Sequence, residues 1–205
     1  MTWLYTSFVN DINFIYVANC DNIICMKLKI VKDSNPIMRK KSQPVEMPLS
    51  LEDKKTLDEM LEYLKLSQDE DYAAKHNLRA GVGIAAIQIG LLKRMFCIYY
   101  ETEEGIVQYQ LVNPKIIEYS VRKCALKDGE GCLSVDGEHK GLSHRYYKIK
   151  MQAFDALRNE EIVITARGFD AIVLQHEYDH LDGLFFYDRI DQNNPNKQLM
   201  NEELL

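Results

Sequence analysis

The stretch LQHEYDHLDG, residues 174–183, carries His176, Glu177 and His180 in the spacing H-E-x-x-H. Read as a helix, it sets the two histidines at i and i+4, one turn apart on one face. Two imidazoles and a neighbouring carboxylate are most of a catalytic zinc-type site. Such a site usually takes a third protein ligand and keeps one position open. The helix must therefore lie inside the fold, with other elements bringing the missing ligand to it.

The flanking elements read outward from that helix. Phe169 to Leu181 is helical. The strand-like runs are RMFCIYY (94–100), GIVQYQLVNP (105–114), KIIEYS (115–120), YKIKMQAFD (147–155) and EIVITARG (161–168), with ETEE as a hairpin turn after the first. Ser50 to Leu66 opens with Ser50 and Asp53 in near capping-box spacing. Leu57, Met60, Leu61 and Leu64 follow at helical intervals. Gln68 to Arg79 reads as a charged loop, and 191–205 has a weak helical pattern after Pro195. The expected fold is α+β, mostly antiparallel strands packed around a central helix carrying HExxH.

The bulk numbers fit one soluble domain. The chain has 205 residues, 46% hydrophobic and 27% charged, with net charge −6. No basic stripe suggests nucleic-acid binding, and no apolar run is long enough to span a bilayer. Five cysteines without a C-x-x-C pair argue against a disulfide framework or a four-cysteine zinc site. Residues 1–25 lack Lys and Arg and resemble neither a signal nor a transit peptide. They read as an extension outside a single catalytic domain at 26–190, followed by a tail at 191–205. This composition fits bacterial cytoplasm, or an organelle in a eukaryote.

Several third ligands compete. The metzincin pattern H-E-x-x-H-x-x-G-x-x-H keeps Gly183 but meets Phe186 at its last position. A thermolysin-like site needs a downstream glutamate, and only Glu202 and Glu203 are available, in a polar tail. His76, His139 and His144 lie in polar stretches. Cys132, in DGEGCLSV (128–135), offers a thiolate beside glycine-rich backbone. A lone cysteine is ordinarily a small buried hydrophobe, so this stretch by itself leaves the ligand open.

Three segments occur in series: GVGIAAIQIG (81–90), EGCLSV (130–135) and QHEYDH (175–180). GVGIAA also fits a dinucleotide fingerprint, but KHNLRA before it is not strand-like, as that fingerprint requires. Together the three resemble the motifs G-x-G-x-A-A-x-Q, E-G-C-L-S and H-E-x-D-H of the peptide deformylases. The likeness is to the longer class of Gram-positive bacteria and their relatives, and it covers about residues 26–190.

The resemblance implies a metal held by Cys132, His176 and His180. It implies a metal-bound water that attacks the formyl carbon of an N-formylmethionyl peptide, with Glu177 as general acid and base. Gln88 and the backbone N–H of Leu133 would hold the oxyanion. Val82, Gly83, Ile172 and Val173 would bind substrate. Asp179 and Gln175 are candidates to fix the histidine tautomers, and Glu130 is expected to pair with Arg145. The metal implied is Fe(II), with Zn(II), Ni(II) and Co(II) also accepted by this donor set. Nascent chains imply transient contact with the ribosome, although the tail is acidic on balance and unlike a ribosomal anchor. The rival readings are a metallopeptidase and a zinc-stabilised binding module. The first lacks its histidine; the second has no use for Glu177 or Gln88.

Overall fold

The computed structural model describes residues 28–205; the expected extension at 1–25 lies outside them. The helix α1 spans Leu51–Gln68, and a short second helix, α2, spans Glu70–His76. The strands that follow are β1 (Gly83–Ala85), β2 (Met95–Thr102), β3 (Gly105–Tyr119) and β4 (Lys123–Ala125). After them come β5 (Arg145–Tyr146), β6 (Lys148–Asp155), β7 (Glu160–Arg167), helix α3 (Gly168–Leu181) and β8 (Glu203–Leu204).

Five strands form an antiparallel sheet in the order β1-β2-β3-β6-β7. A smaller sheet runs β5-β4-β8, with β4 and β8 parallel. The α+β architecture expected from the sequence is the one observed, with His176, Glu177 and His180 on α3.

Strand β2 shows how the sheet makes two cores. Side chains alternate across a strand. Phe96, Ile98 and Tyr100 pack with Ala171, Val173 and Leu174 of α3. Met95 and Cys97 face the other way, against Leu57, Met60, Leu61 and Leu64 of α1. Both faces of β2 are covered, so MFCIYY shows no polar alternation. The α3 helix is buried on nearly every side and therefore carries almost no amphipathic signal. Its identity came from the motif and from its length.

Three expectations are corrected. Residues 70–76 are helical, not loop: the Asp69 side chain accepts from the Tyr72 N–H, and Asn77 ends the helix in the left-handed conformation. No residue of α2 is buried, so no apolar stripe announced it. The runs 105–114 and 115–120 are not two strands but one, carried through register shifts at Val112–Lys115 and Ile116–Glu118. The tail does not continue as a helix. Glu202 is buried, its carboxylate accepting from His144 Nδ1 at 2.7 Å and from the Leu199 N–H at 2.9 Å. The last residues then pair with β4, the Leu205 N–H donating to the Ala125 carbonyl.

Candidate metal centre and cleft

The polar side chains of α3 converge with the segment 130–134 beneath a cleft. The ligand atoms of Cys132, His176 and His180 all lie within 4.8 Å of one another, and all three residues are buried. Cys132 Sγ is 3.3 Å from His180 Nε2. The imidazoles meet edge to face with centroids 4.9 Å apart, as the i, i+4 spacing dictates.

His176 is oriented from behind. Its Nδ1 lies 2.7 Å from Glu130 Oε2, which turns Nε2 toward the thiol and His180. Glu130 is itself gripped by Arg145 through Nε at 2.8 Å and Nη2 at 2.9 Å. Burial would raise the Glu130 carboxyl, but the Arg145 charge and the hydrogen bonds from His176 and Arg145 hold it down to about 2. The third Arg145 donor, Nη1, reaches Asp179 at 2.5 Å, and Arg189 closes the chain on Asp179 at 2.6 and 3.0 Å.

Asp179 and Gln175, the candidates for fixing the ring tautomers, bond elsewhere. Asp179 is paired with the two arginines. Gln175 staples α3 to β5, accepting from the Tyr146 N–H and donating to the Tyr146 and Ala171 carbonyls. For His176 the orienting contact is Glu130. Burial, with the His176 and Arg145 charges, pushes the His180 pKa well down and keeps its ring neutral, the form that binds metals.

Glu177 is buried beside this cluster, with Oε2 unpartnered. Burial pushes its carboxyl up to about 7, against the pull of the His176 and Arg145 charges. Gln88 faces it across the site. Its Oε1 accepts from the Ala85 N–H at 2.8 Å, which fixes the amide so that Nε2 points at Ser134 Oγ (3.1 Å) and Cys132 Sγ (3.6 Å).

Above lies a cavity of about 440 Å³. One wall is Ala80 to Gly83, another Gly131 to Leu133, and α3 supplies Phe169, Ile172, Val173, His176 and Glu177. Gly83 pairs with Ile98, between the pairs Val82–Tyr99 and Ile84–Cys97. The Tyr99 N–H donates to the Val82 carbonyl, so in an antiparallel ladder the Gly83 N–H and C=O point away from β2, to the open edge. A Cβ on Gly83 would collide with the Glu177 carboxylate, and one on Gly81 would come within 2.9 Å of Leu133. The charged loop after Val135 does not wall this cavity. Gly137 to Gly141 line a neighbouring concavity that shares Arg79 and Glu130 to Cys132 with the first.

Comparison with known proteins agrees with this geometry. The sequence model of polypeptide deformylases matches residues 27–196. The chain belongs to the polypeptide deformylase family. It is 49% identical over 170 residues to the peptide deformylase of Macrococcus caseolyticus, covering 82% of this chain and 92% of that protein. It is 46% identical over 174 residues to peptide deformylase 2 of Geobacillus stearothermophilus, covering 84% and 94%. Among solved structures, the Thermus thermophilus peptide deformylase superposes with a TM-score of 0.65 at 30% identity, over 82% of this chain and 88% of that one.

The donor set of this family member fits a divalent metal. One thiol and two imidazoles, buried and mutually close, make three ligands, the count of a catalytic rather than a structural centre. His76, His139 and His144 are engaged elsewhere, with Tyr72, Tyr187 and Glu202 respectively. Sequence reasoning missed Ser134, Arg189, Gln68 and Phe169. Ser134 reaches Gln88 because a turn at 133–134, closed by the Val135 N–H on the Cys132 carbonyl, brings its hydroxyl beside the Cys132 thiol. Nothing local marked the other three.

Proposed function

We propose that the chain hydrolyses the N-formyl group of N-formylmethionyl peptides and releases formate. The observation that carries this is the meeting of Cys132, His176 and His180 with Glu177 and Gln88 under an open strand edge. A divalent metal, when bound by the three ligands, lowers the pKa of a water and polarises a carbonyl.

The protein's own groups do the rest. Unpartnered Glu177 takes a proton from the attacking water and delivers it to the leaving nitrogen, and its carboxyl is poised near neutrality for both steps. The Gln88 Nε2 and the Leu133 N–H donate to the developing oxyanion. Gly83 offers its N–H and C=O to the peptide backbone as an added strand. Val82, Ile172 and Val173, with Phe169, form the apolar wall for the methionine side chain. A formyl group is the smallest acyl group, and selectivity against an acetyl methyl would come from close packing of that position against the buried Cys132, His176 and Glu177.

Iron(II) is the metal we assign, with zinc, nickel and cobalt able to use the same ligands. Work on nascent chains implies a location where they are made, the bacterial cytoplasm or an organelle, with passing contact at the ribosome. No helix among the described residues is long and apolar enough to cross a membrane.

The test is formate release from formyl-Met-Ala-Ser by anaerobically purified, iron-loaded protein. Release is expected with the formyl peptide and not with the acetyl peptide, and Glu177→Ala should lower kcat by at least about a hundredfold. Absence of release by protein shown to hold one metal per chain would overturn the assignment.

A further inference from the structure

The C-terminal end of α1 reaches the cleft at a place that the chemistry above does not use. Gln68 Nε2 donates to the Gly81 carbonyl at 2.8 Å and to the Tyr99 carbonyl at 2.7 Å. Its neighbour Ser67 is buried, accepts from the Gly81 N–H at 3.3 Å and donates to the Leu64 carbonyl at 2.8 Å. Both polar groups of Gly81 are thus held by the last two residues of one helix.

The position of this clamp matters. In a regular antiparallel pair the Val82 N–H would bond the Tyr99 carbonyl. Here Gln68 occupies that carbonyl, and one amide bridges the two chains where the β1–β2 ladder begins to open. Gly81 sits against Leu133, and Gly83 sits against Glu177 with its polar groups turned to the open edge. Gln68 itself lines the cavity. Leu57 and Leu64 of the same helix are fully buried in the core, so the clamp is anchored on a rigid element.

We propose that Gln68 is a positioning residue for the substrate backbone: it fixes segment 81–83 so that a bound peptide meets the Gly83 edge in one register. This rests on the proposed deformylase reading. A side chain that only orders the edge contributes equally to ground state and transition state, and therefore acts on KM and not on kcat.

The test is Gln68→Met, which keeps length and removes both donors, alongside Gln68→Ala, in the metal-loaded protein. With formyl-Met-Ala-Ser, KM is expected to rise about tenfold with kcat within about twofold. With formyl-Met alone, which has no downstream backbone to pair, variant and wild type should agree. Melting temperature should fall by a few degrees at most, since two part-buried carbonyls lose a donor, and metal content should not change. Calorimetric binding of the tripeptide in a Glu177→Gln background, where turnover is stopped, should show the same weakening.

Equal KM values for wild type and Gln68→Met would overturn the proposal. So would an equal loss on both substrates, or a loss that tracks lowered metal content, since either marks a general structural role. If the wild type releases no formate, the deformylase reading falls, and the calorimetric comparison still decides Gln68.

Discussion

Arg145 shows how much of the site hangs on one side chain. It is fully buried, and burial alone would lower its pKa. The carboxylates of Glu130 and Asp179 outweigh that effect and keep it charged. Removing it leaves buried Glu130 with only the His176 ring and Asp179 with only Arg189. Arg145→Leu should destabilise the fold by about 3–5 kcal/mol in denaturant titration and lower the metal content. Unchanged stability together with full metal occupancy would contradict this. The pairing of Glu130 with Arg145 could be anticipated from the need of a buried carboxylate for a partner. That Glu130 also holds the histidine, and that Arg189 caps Asp179, depends on how α3 is rotated against 130–145. No residue spacing encodes that rotation.

At the scale of the element, α1 contains a titrating flaw. Glu59 is buried, with Lys55 3.6 Å away and Oε1 without a hydrogen bond. Burial raises its pKa more than Lys55 lowers it. A carboxyl raised in the folded state favours folding below its unfolded pKa and loses that contribution as pH rises through the folded one. Glu59→Gln keeps the shape and removes the titration. The variant should therefore be more stable than wild type at about pH 7, with the advantage gone at about pH 3.5, below the carboxylate range. Paired denaturant titrations at the two pH values check this. Elements differed in how openly they could be read. The apolar stripe of α1 and the β-branched strands were plain, because half-burial imposes a period. Mostly buried α3 has no stripe, and α2, with no buried residue, has none either, so period alone finds neither. The three residues of β1 are too few to form a pattern.

Across the whole molecule, the two ends of the described chain brace the same centre. Asp33 donates its N–H to the Ser134 carbonyl, and the Lys32 ammonium donates to the Leu133 carbonyl, which ties the early chain to the segment that carries Cys132. At the other end, Glu202 meets His144, one residue from Arg145, and β8 covers β4. Deleting residues 198–205 should lower the melting temperature by roughly 5–10 °C, because it uncovers β4 and leaves His144 without its carboxylate. Formate release well below the melting point should persist, since no residue beyond Glu177 lines the main cavity. A melting curve with a paired assay at low temperature separates the two effects. This bracing was invisible in the sequence, because a two-residue parallel strand gains its meaning only from the partner it finds.

The close approach of Gly83 to Glu177 has a consequence for drug escape. On the proposed binding mode, a compound that mimics the peptide would hydrogen-bond the backbone at Gly83, where any substitution meets the buried Glu177 side chain. Any other side chain there begins with a carbon that would displace the Glu177 carboxylate, the group proposed above as general acid and base. A scaffold anchored on this one backbone unit would therefore be escaped by substitution only at the expense of the Glu177 position.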